Sequence, residues 1–359
     1  MPGLHSSRGG GSDIDWPSGN LKPETLDTLL ENYGAYAIST RYFNWGEPLL
    51  NKQTPKYVAA SRKFLMRTSI SSNVSLPFDA EALVASGLDY LIMSIDGATQ
   101  ETYQKYRKRG DLGLVLENVR KLVAAKKKLD SYTPYLVWQY LLFDHTLPEI
   151  DMALQMAKDL GVNEINFTNA YDVSAFDPAI TKPASPPMKQ HILHFDGRAV
   201  MQSARSSASD LDERIETAWD VGWSGRYIDQ HHLPQGQTCQ WLYNDMVMDA
   251  LGRVFPCCYV PKKQTIYGKL KDGVDLFNTR DFKFSREYFS DPSRFKQKNG
   301  GYTRIRDGER FEPTACLTCP AKNSLPNINL RQLPAYFAYA DTQAVFSKES
   351  FAELAKWQV

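Results

Sequence analysis

The sequence predicts an α/β protein, a partial (β/α) TIM-like barrel followed by a small C-terminal module that holds a metal through cysteines. Short apolar, strand-like runs alternate with helical segments between residues 35 and 169. These runs are apolar on both faces, as expected for parallel strands covered by helices. All five cysteines fall between residues 239 and 319. The alternative for the first part is a doubly wound open sheet.

The individual elements follow from the hydrophobic spacing. Residues 21–33 place Leu26, Leu29 and Leu30 on one helical face, with Pro23 near the start. Right-handed βαβ connections then imply a parallel sheet. The predicted strands are 35–43, 66–71, 89–95, 135–143 and 164–169, and the predicted helices between them are 54–64, 78–86, 98–129 and 147–160.

Composition narrows the class of protein. The 359 residues carry a formal net charge of +1, which does not favour nucleic acid as a partner. The one dense basic run, Lys126–Lys128, is interpreted as a solvated helix end. No stretch reaches the ~18 consecutive apolar residues of a membrane span. We expect no membrane association and a cytoplasmic location.

The cysteines follow the pattern C-x17-CC-x57-C-x2-C. An odd number of cysteines and no export signal do not favour a disulfide framework, whereas clustered thiolates favour a metal or an iron–sulfur cluster. Gly252 is predicted to form the hairpin turn before Cys257, and Cys258 is interpreted as the spare thiol. A four-cysteine zinc site remains the alternative. The predicted metal ligands are Cys239, Cys257, Cys316 and Cys319.

Polar residues collect where the predicted strands end, which is where barrel enzymes place their chemistry. They lie in residues 44–48, 71–73, 94–97 and 166–169. Each has a structural alternative: Glu47 as a helix start, Asp96 as a helix N-cap and Arg107 as a solvated helix residue.

Histidines give weaker signals. The pairs His191 with His194, and His231 with His232, are interpreted as surface or linker features, because no partner ligand has a matching spacing. His145 and its neighbour Asp144 follow the strand ending at Phe143. They are candidate substrate contacts, with loop capping as the alternative.

At the first strand end, Asn44-Trp45-Gly46-Glu47-Pro48 resembles the GGEP motif of radical S-adenosylmethionine (radical SAM) enzymes, with Trp45 in place of the first glycine. Residues 93–97, followed by Tyr103 and Arg107, are similar to that family's fourth-strand segment. The resemblance implies that these strand ends bind S-adenosylmethionine, and it identifies no catalytic proton donor. The implied cofactor-binding residues are Gly46, Glu47, Pro48, Asn73, Ser94, Asp96, Arg107 and Asn166.

The cysteine module resembles the SPASM or Twitch domain of the same enzymes. This implies one auxiliary [4Fe-4S] cluster, a peptide or small-molecule substrate, and an electron donor such as flavodoxin or ferredoxin. The expected domains are a loop (1–20), the partial barrel (21–197), a linker (198–235), the auxiliary-cluster domain (236–325) and a C-terminal helical tail (326–359).

One departure from the family is large. The radical-generating cluster is held there by a CxxxCxxC loop after the first strand, and this sequence has no cysteine before Cys239. We therefore expect an N-terminally truncated chain whose full-length form would carry the second [4Fe-4S] cluster. The alternatives are a natural relic, or a binding protein with a structural zinc site.

Overall fold

A parallel sheet and a smaller β-rich unit are the two parts of the computed structural model. The model describes residues 19–44, 46–169, 191–195, 242, 245–257, 266–272 and 275–318. One unit contains the described residues of 29–195, and the other contains 19–28 together with 242–318. The predicted loop 1–20 up to residue 18, the linker 198–235 and the tail 326–359 lie outside the described residues.

The element bounds agree with the predicted alternation. The helices are α1 Pro23–Tyr33, α2 Thr54–Arg62, α3 Ala80–Ala85, α4 Gln100–Tyr106, α5 Leu112–Lys128, α6 Ile150–Leu160 and α7 Arg280–Ser290. The strands of the first unit are β1 Ser39–Arg41, β2 Arg67–Ser72, β3 Tyr90–Ser94, β4 Tyr135–Leu142, β5 Glu164–Asn169 and β6 His191–His194. The strands of the second unit are β7 Val247–Met248, β8 Arg253–Phe255, β9 Gly268–Lys269, β10 Phe295–Lys298, β11 Gly301–Arg304 and β12 Arg310–Phe311.

The order of strands in the first sheet is β1-β2-β3-β4-β5-β6, with β1 to β5 parallel. A doubly wound sheet reverses its order at a switch point, so this consecutive order contradicts that alternative and fits a partial barrel. Right-handed crossovers in one direction put α2, α3, α5 and α6 on one face of the sheet. The other face is left for the site.

Three predictions about these elements need correction. The strand predicted at 35–43 is only Ser39–Arg41, and Tyr36 before it is 83% exposed. The predicted helix 98–129 is two helices, because Arg107 ends α4 and Asp111 caps α5 by accepting a hydrogen bond from Leu114 N at 3.1 Å. His191–His194, interpreted as a surface or linker feature with no strand predicted there, forms β6 and pairs antiparallel with β5.

The basic run at the end of α5 is only partly a solvated helix end. Lys126 Nζ donates hydrogen bonds to Pro134 O at 2.7 Å and to Asn163 Oδ1 at 3.1 Å. Burial of this ammonium group lowers the pKa of Lys126 to about 8. Lys128 is exposed and pairs with Glu81. Lys126 therefore ties the end of α5 to the starts of β4 and β5.

The second unit contains the predicted hairpin. β7 and β8 pair antiparallel, and Gly252 in the turn between them has φ +72°, a conformation that favours glycine. Asp249 Oδ1 accepts hydrogen bonds from the amides of Leu251 and Arg253, which closes the turn. β9 then pairs antiparallel with β8. Within the described residues, no helix has the length and apolar character needed to cross a bilayer.

Candidate functional site

A row of polar side chains crosses three adjacent strands of the first sheet. Ser94 on β3 is the register partner of Gln139 on β4, which is in turn the partner of Asn166 on β5. Side chains that pair in register point to the same face. Ser71 on β2 shares this face, since its partner Ile92 lies two residues before Ser94. This is the face opposite the crossover helices.

Two members of the row, Ser94 and Gln139, are less buried than the opposite face, whereas Asn166 is 4% exposed and its Oδ1 accepts a hydrogen bond from Thr168 Oγ1 at 3.0 Å. Leu91, Met93 and Trp138, on the helix-covered face, are fully buried. Ser94 and Gln139 are half-buried, and within the described residues neither side chain has a hydrogen-bond partner. A hydroxyl and an amide held without partners on a strand are available to a ligand. The row is therefore a ready polar surface for one.

Glu47 joins the ends of the first two strands. Its Oε1 accepts hydrogen bonds from Leu49 N at 3.0 Å and Ser72 Oγ at 2.7 Å, while Oε2 accepts one from Asn73 N at 3.0 Å. The helix-start alternative is thus confirmed, because Glu47 caps the 3-10 helix Pro48–Leu50. A carboxylate has about four acceptor positions, so one on Oε2 stays open to a further donor. Gly46 is exposed beside it, and Trp45 lies outside the described residues.

The loop after β2 is held tightly. Val74 is buried, with 1% exposure, and has φ 45°, an unusual conformation for a β-branched residue. Asn118 from α5 stabilises it by donating Nδ2 hydrogen bonds to Val74 O at 2.8 Å and Leu76 O at 3.0 Å. Strained backbone of this kind persists only where its surroundings fix it, and it concentrates at binding sites. The loop presents Asn73, whose Oδ1 accepts from Ser75.

Asp96 and Arg107 form a buried ion pair after β3. Arg107 Nε lies 2.7 Å and Nη2 lies 2.5 Å from Asp96 Oδ2, and the two side chains are 11% and 0% exposed. Asp96 Oδ1 accepts from Leu141 N at 3.1 Å. The solvated-helix interpretation of Arg107 and the N-cap interpretation of Asp96 are therefore wrong, since Thr99 caps α4.

The ion pair with Asp96 stabilises the protonated, positively charged form of Arg107. Burial disfavours the cation, but the Asp96 carboxylate outweighs it and raises the pKa of Arg107 above its ordinary value. The guanidinium also lies over the Tyr106 ring, 5.1 Å from its centroid. Because Asp96 uses only two of the five N–H donors, the others can bind a carboxylate.

Glu149 fixes the loop between β3 and α4 and was not predicted. Its Oε2 accepts from Ala98 N at 2.7 Å and its Oε1 accepts from Thr99 Oγ1 at 2.5 Å. Burial raises the pKa of Glu149, but these hydrogen bonds lower it more, so the net pKa lies below its ordinary value. Gly97 in this loop allows the close approach of α4, because an added Cβ would lie 2.5 Å from Tyr103 N.

His145 lies at the end of β4. Its ring stacks on Phe143 at 5.3 Å, and Nε2 is buried with no hydrogen-bond partner in the described part of the chain. Burial and the nearby Lys105 lower the pKa of His145, partly offset by the surrounding carboxylates. This shift favours the neutral imidazole, and the role of His145 as a substrate contact stays a prediction.

The predicted metal site is only partly described. Cys257 and Cys316 are both half-buried in the second unit. The Cys316 sulfur accepts a hydrogen bond from Tyr267 Oη at 3.1 Å. Cys239, Cys258 and Cys319 lie outside the described residues, within which no three His, Cys, Asp or Glu side chains gather to hold a metal ion.

The structure brings together most of the predicted first-unit residues and adds others. Glu47 and Asn73 are linked directly, as are Asp96 and Arg107, while Ser94 and Asn166 share the polar row. Sequence reasoning missed Gln139, although a lone amide inside the apolar run of β4 was a usable signal. No local pattern marked Glu149, since its partners are 50 and 51 residues away.

Comparisons with known proteins find similarity to the part of the chain that contains the first unit. The family model for the Radical SAM superfamily matches residues 10–138. The chain is similar to the probable GTP 3',8-cyclase of Aeropyrum pernix, with 23% identity over 254 residues. That alignment covers 67% of this chain and spans 63% of the length of the relative.

Two solved structures are also similar. Native anSMEcpe with bound AdoMet has 15% identity and a TM-score of 0.45, covering 91% of this chain and 89% of that one. Streptococcus suis SuiB bound to precursor peptide SuiA has 12% identity and a TM-score of 0.45, covering 78% of this chain and 62% of that one. Over residues 10–138, the chain is therefore similar to the Radical SAM superfamily.

Proposed function

We propose that this chain belongs to a radical SAM enzyme of the SPASM or Twitch type, which modifies a peptide or a small molecule and carries an auxiliary [4Fe-4S] cluster. The observation that carries the proposal is the polar row Ser94–Gln139–Asn166, flanked by Glu47 and Arg107. Glu47, Ser94 and Arg107 lie inside residues 10–138, the segment that matches the superfamily model, and Gln139 follows directly after it. The cysteines of the second unit support the auxiliary cluster.

The donors and acceptors of the site suit the two charged groups of a methionine moiety. The open acceptor position on Glu47 Oε2 would take an ammonium hydrogen, and the free N–H groups of Arg107 would take the carboxylate. Asp96 would act through Arg107, because its own carboxylate is fully buried and engaged. The polar row would hold the ribose and the base.

Bound beside a radical-generating cluster that an electron donor has reduced, S-adenosylmethionine would supply the chemistry of hydrogen abstraction from the substrate. The chain's own residues would orient the cofactor and exclude water around it. This sequence has no cysteine before Cys239, so we expect the chain alone to bind the cofactor without cleaving it.

The two described thiols fit an iron–sulfur cluster. The Cys316 sulfur accepts a hydrogen bond from the buried Tyr267 hydroxyl, which suits a thiolate. Cys239, Cys257, Cys316 and Cys319 would be the four ligands. An electron donor such as flavodoxin or ferredoxin would serve the cluster.

The test is anaerobic reconstitution of the full chain with iron and sulfide, followed by calorimetric titration with S-adenosylmethionine. We expect about four iron ions per chain, cofactor binding, and no 5′-deoxyadenosine after reduction. Cys316→Ser should lose the iron, and the matched control Cys258→Ser should keep it. Gln139→Ala should bind the cofactor more weakly with its iron content unchanged, while the exposed Gln155→Ala on α6 should behave as wild type.

Three outcomes contradict different parts of the proposal. One colourless zinc ion per chain instead of iron would favour a binding protein with a structural four-cysteine site. Equal affinity for the cofactor in Gln139→Ala and wild type would remove the polar row from the cofactor site. Release of 5′-deoxyadenosine by this chain would refute the requirement for a CxxxCxxC loop.

A further inference from the structure

A chain of three buried hydroxyl groups ends on the sulfur of Cys316. Tyr267 Oη lies 3.1 Å from Cys316 Sγ and 2.7 Å from Ser285 Oγ. Ser285 Oγ lies in turn 3.0 Å from Thr314 Oγ1. The tyrosine, serine and threonine are 3%, 0% and 6% exposed. These groups are shielded from water, so the hydrogen bonds among them are protected from competition.

The direction of the hydrogen bonds follows from the number of protons. A tyrosine hydroxyl carries one proton, and a thiolate can only accept. When Cys316 is a thiolate, Tyr267 must therefore donate to the sulfur and accept from Ser285. Ser285 then donates its only hydroxyl proton to Tyr267, so it must accept a hydrogen bond from Thr314. All three O–H dipoles point toward the sulfur, and each strengthens the next.

The backbone and the core hold the tyrosine in this position. Tyr267 N donates to Val254 O at 2.8 Å, which anchors the residue to β8, the strand that ends two residues before Cys257. The Tyr267 ring packs edge-on against Phe282, with centroids 4.9 Å apart and an interplanar angle of 85°. Ser285 is on the same helix as Phe282. The donor is thus fixed by a strand and a helix, not by a loop.

We propose that Tyr267 is the hydrogen-bond donor that sets the reduction potential of the cluster bound through Cys316. This inference rests on the proposed auxiliary cluster. Hydrogen bonds to ligand sulfurs are among the factors that tune iron–sulfur potentials. A reduced cluster carries one more negative charge than an oxidised one, so a donor to its sulfur stabilises the reduced form more. Tyr267 therefore raises the potential.

The experiment compares four reconstituted full-length proteins: wild type, Tyr267→Phe, Ser285→Ala and Tyr288→Phe. Iron content per chain shows whether the cluster assembles, and a redox titration followed by electron paramagnetic resonance gives its midpoint potential. Tyr288 is the matched control, because its ring packs on Phe284 in the same unit. Tyr267→Phe removes only the hydroxyl and keeps the ring contact with Phe282.

We expect equal iron content in all four proteins and a more negative midpoint potential in Tyr267→Phe. Ser285→Ala should shift the potential in the same direction by less, since it removes the second bond of the chain, and Tyr288→Phe should match wild type. An unchanged potential in Tyr267→Phe at full iron content overturns the role of Tyr267 and leaves the auxiliary cluster standing. Absence of iron from the wild-type protein overturns both. If Tyr267→Phe fails to assemble, the shift in Ser285→Ala decides.

Discussion

Replacing Asp96 with Asn tests whether the buried ion pair organises the strand-end site. The Asp96 side chain is fully buried, and Arg107 is 11% exposed. Leu141 N needs an acceptor at the Oδ1 position. In the variant the amide oxygen would keep that place, so the Nδ2 group would face the Nε and Nη2 donors of Arg107. Two sets of donors would then oppose each other in a buried space.

The expected loss of stability follows from burial. Removing one partner of a buried, hydrogen-bonded ion pair leaves the other charge uncompensated, at a cost of about 3–5 kcal/mol. That is a large part of the stability of an ordinary domain, about 5–15 kcal/mol. Replacing Arg107 as well, as in Asp96→Asn with Arg107→Met, should recover much of the loss, because no charge remains buried and the amide oxygen at position 96 still accepts from Leu141 N.

Hydrogen exchange of the β3 and β4 amides, measured at increasing urea concentrations, gives the loss of stability in the first unit. Glu117→Gln is the matched control. It removes a carboxylate that also pairs with a basic side chain, at 2.7 Å, but on the exposed surface of α5, where we expect little change. A cost for Asp96→Asn as small as that of the control would refute the reasoning, as would a double variant less stable than Asp96→Asn.

Two further predictions concern the loops around the site. Gly97→Ala should lower the free energy of unfolding, measured by urea denaturation, by about 1–3 kcal/mol, because the new Cβ would lie 2.5 Å from Tyr103 N and 2.7 Å from its Cα. Gly46→Ala is the control and should leave the stability unchanged, because no atom lies within 4 Å of its new Cβ. Equal losses in the two variants would contradict this prediction. Glu149→Gln should destabilise most at pH 7. The pKa of Glu149 in the folded protein lies below its ordinary value. The carboxylate therefore contributes fully to folding stability above the unfolded pKa of about 4.3, and this contribution is lost as the pH falls through the folded pKa. The difference between wild type and Glu149→Gln should therefore shrink below that pH, and a difference independent of pH would count against this explanation.

The order of the elements could be predicted from the sequence because local patterns encode it. Apolar runs, helix caps and short connections repeat along residues 54–169, and the predicted bounds fall within a few residues of the observed ones. The failures occur where tertiary structure decides. β1 is short because residues such as Tyr36 have no core to enter, and β6 forms by pairing with β5 across a long connection.

The site shows the same division. Glu47, Ser94 and Arg107 could be selected because they follow strands or match a motif. The role of each side chain depends on partners far along the chain. Arg107 donates hydrogen bonds to Asp96, eleven residues earlier, and Glu47 accepts hydrogen bonds from residues 72 and 73, which are 25 and 26 residues later. No spacing rule predicts such pairs, since the sheet register and the crossovers bring them together.

The cysteines illustrate a further limit of sequence patterns. Their spacing predicts which thiols would act as ligands, but not which groups surround them. Tyr267 forms hydrogen bonds with Cys316, 49 residues later, and with Ser285, 18 residues later. No local sequence pattern predicts either hydrogen bond. If the hydroxyl chain tunes the cluster, then the chemistry of the second unit depends as much on Tyr267 as on the ligand motif. A family member with the same cysteines and a phenylalanine at this position should then carry a cluster of lower potential.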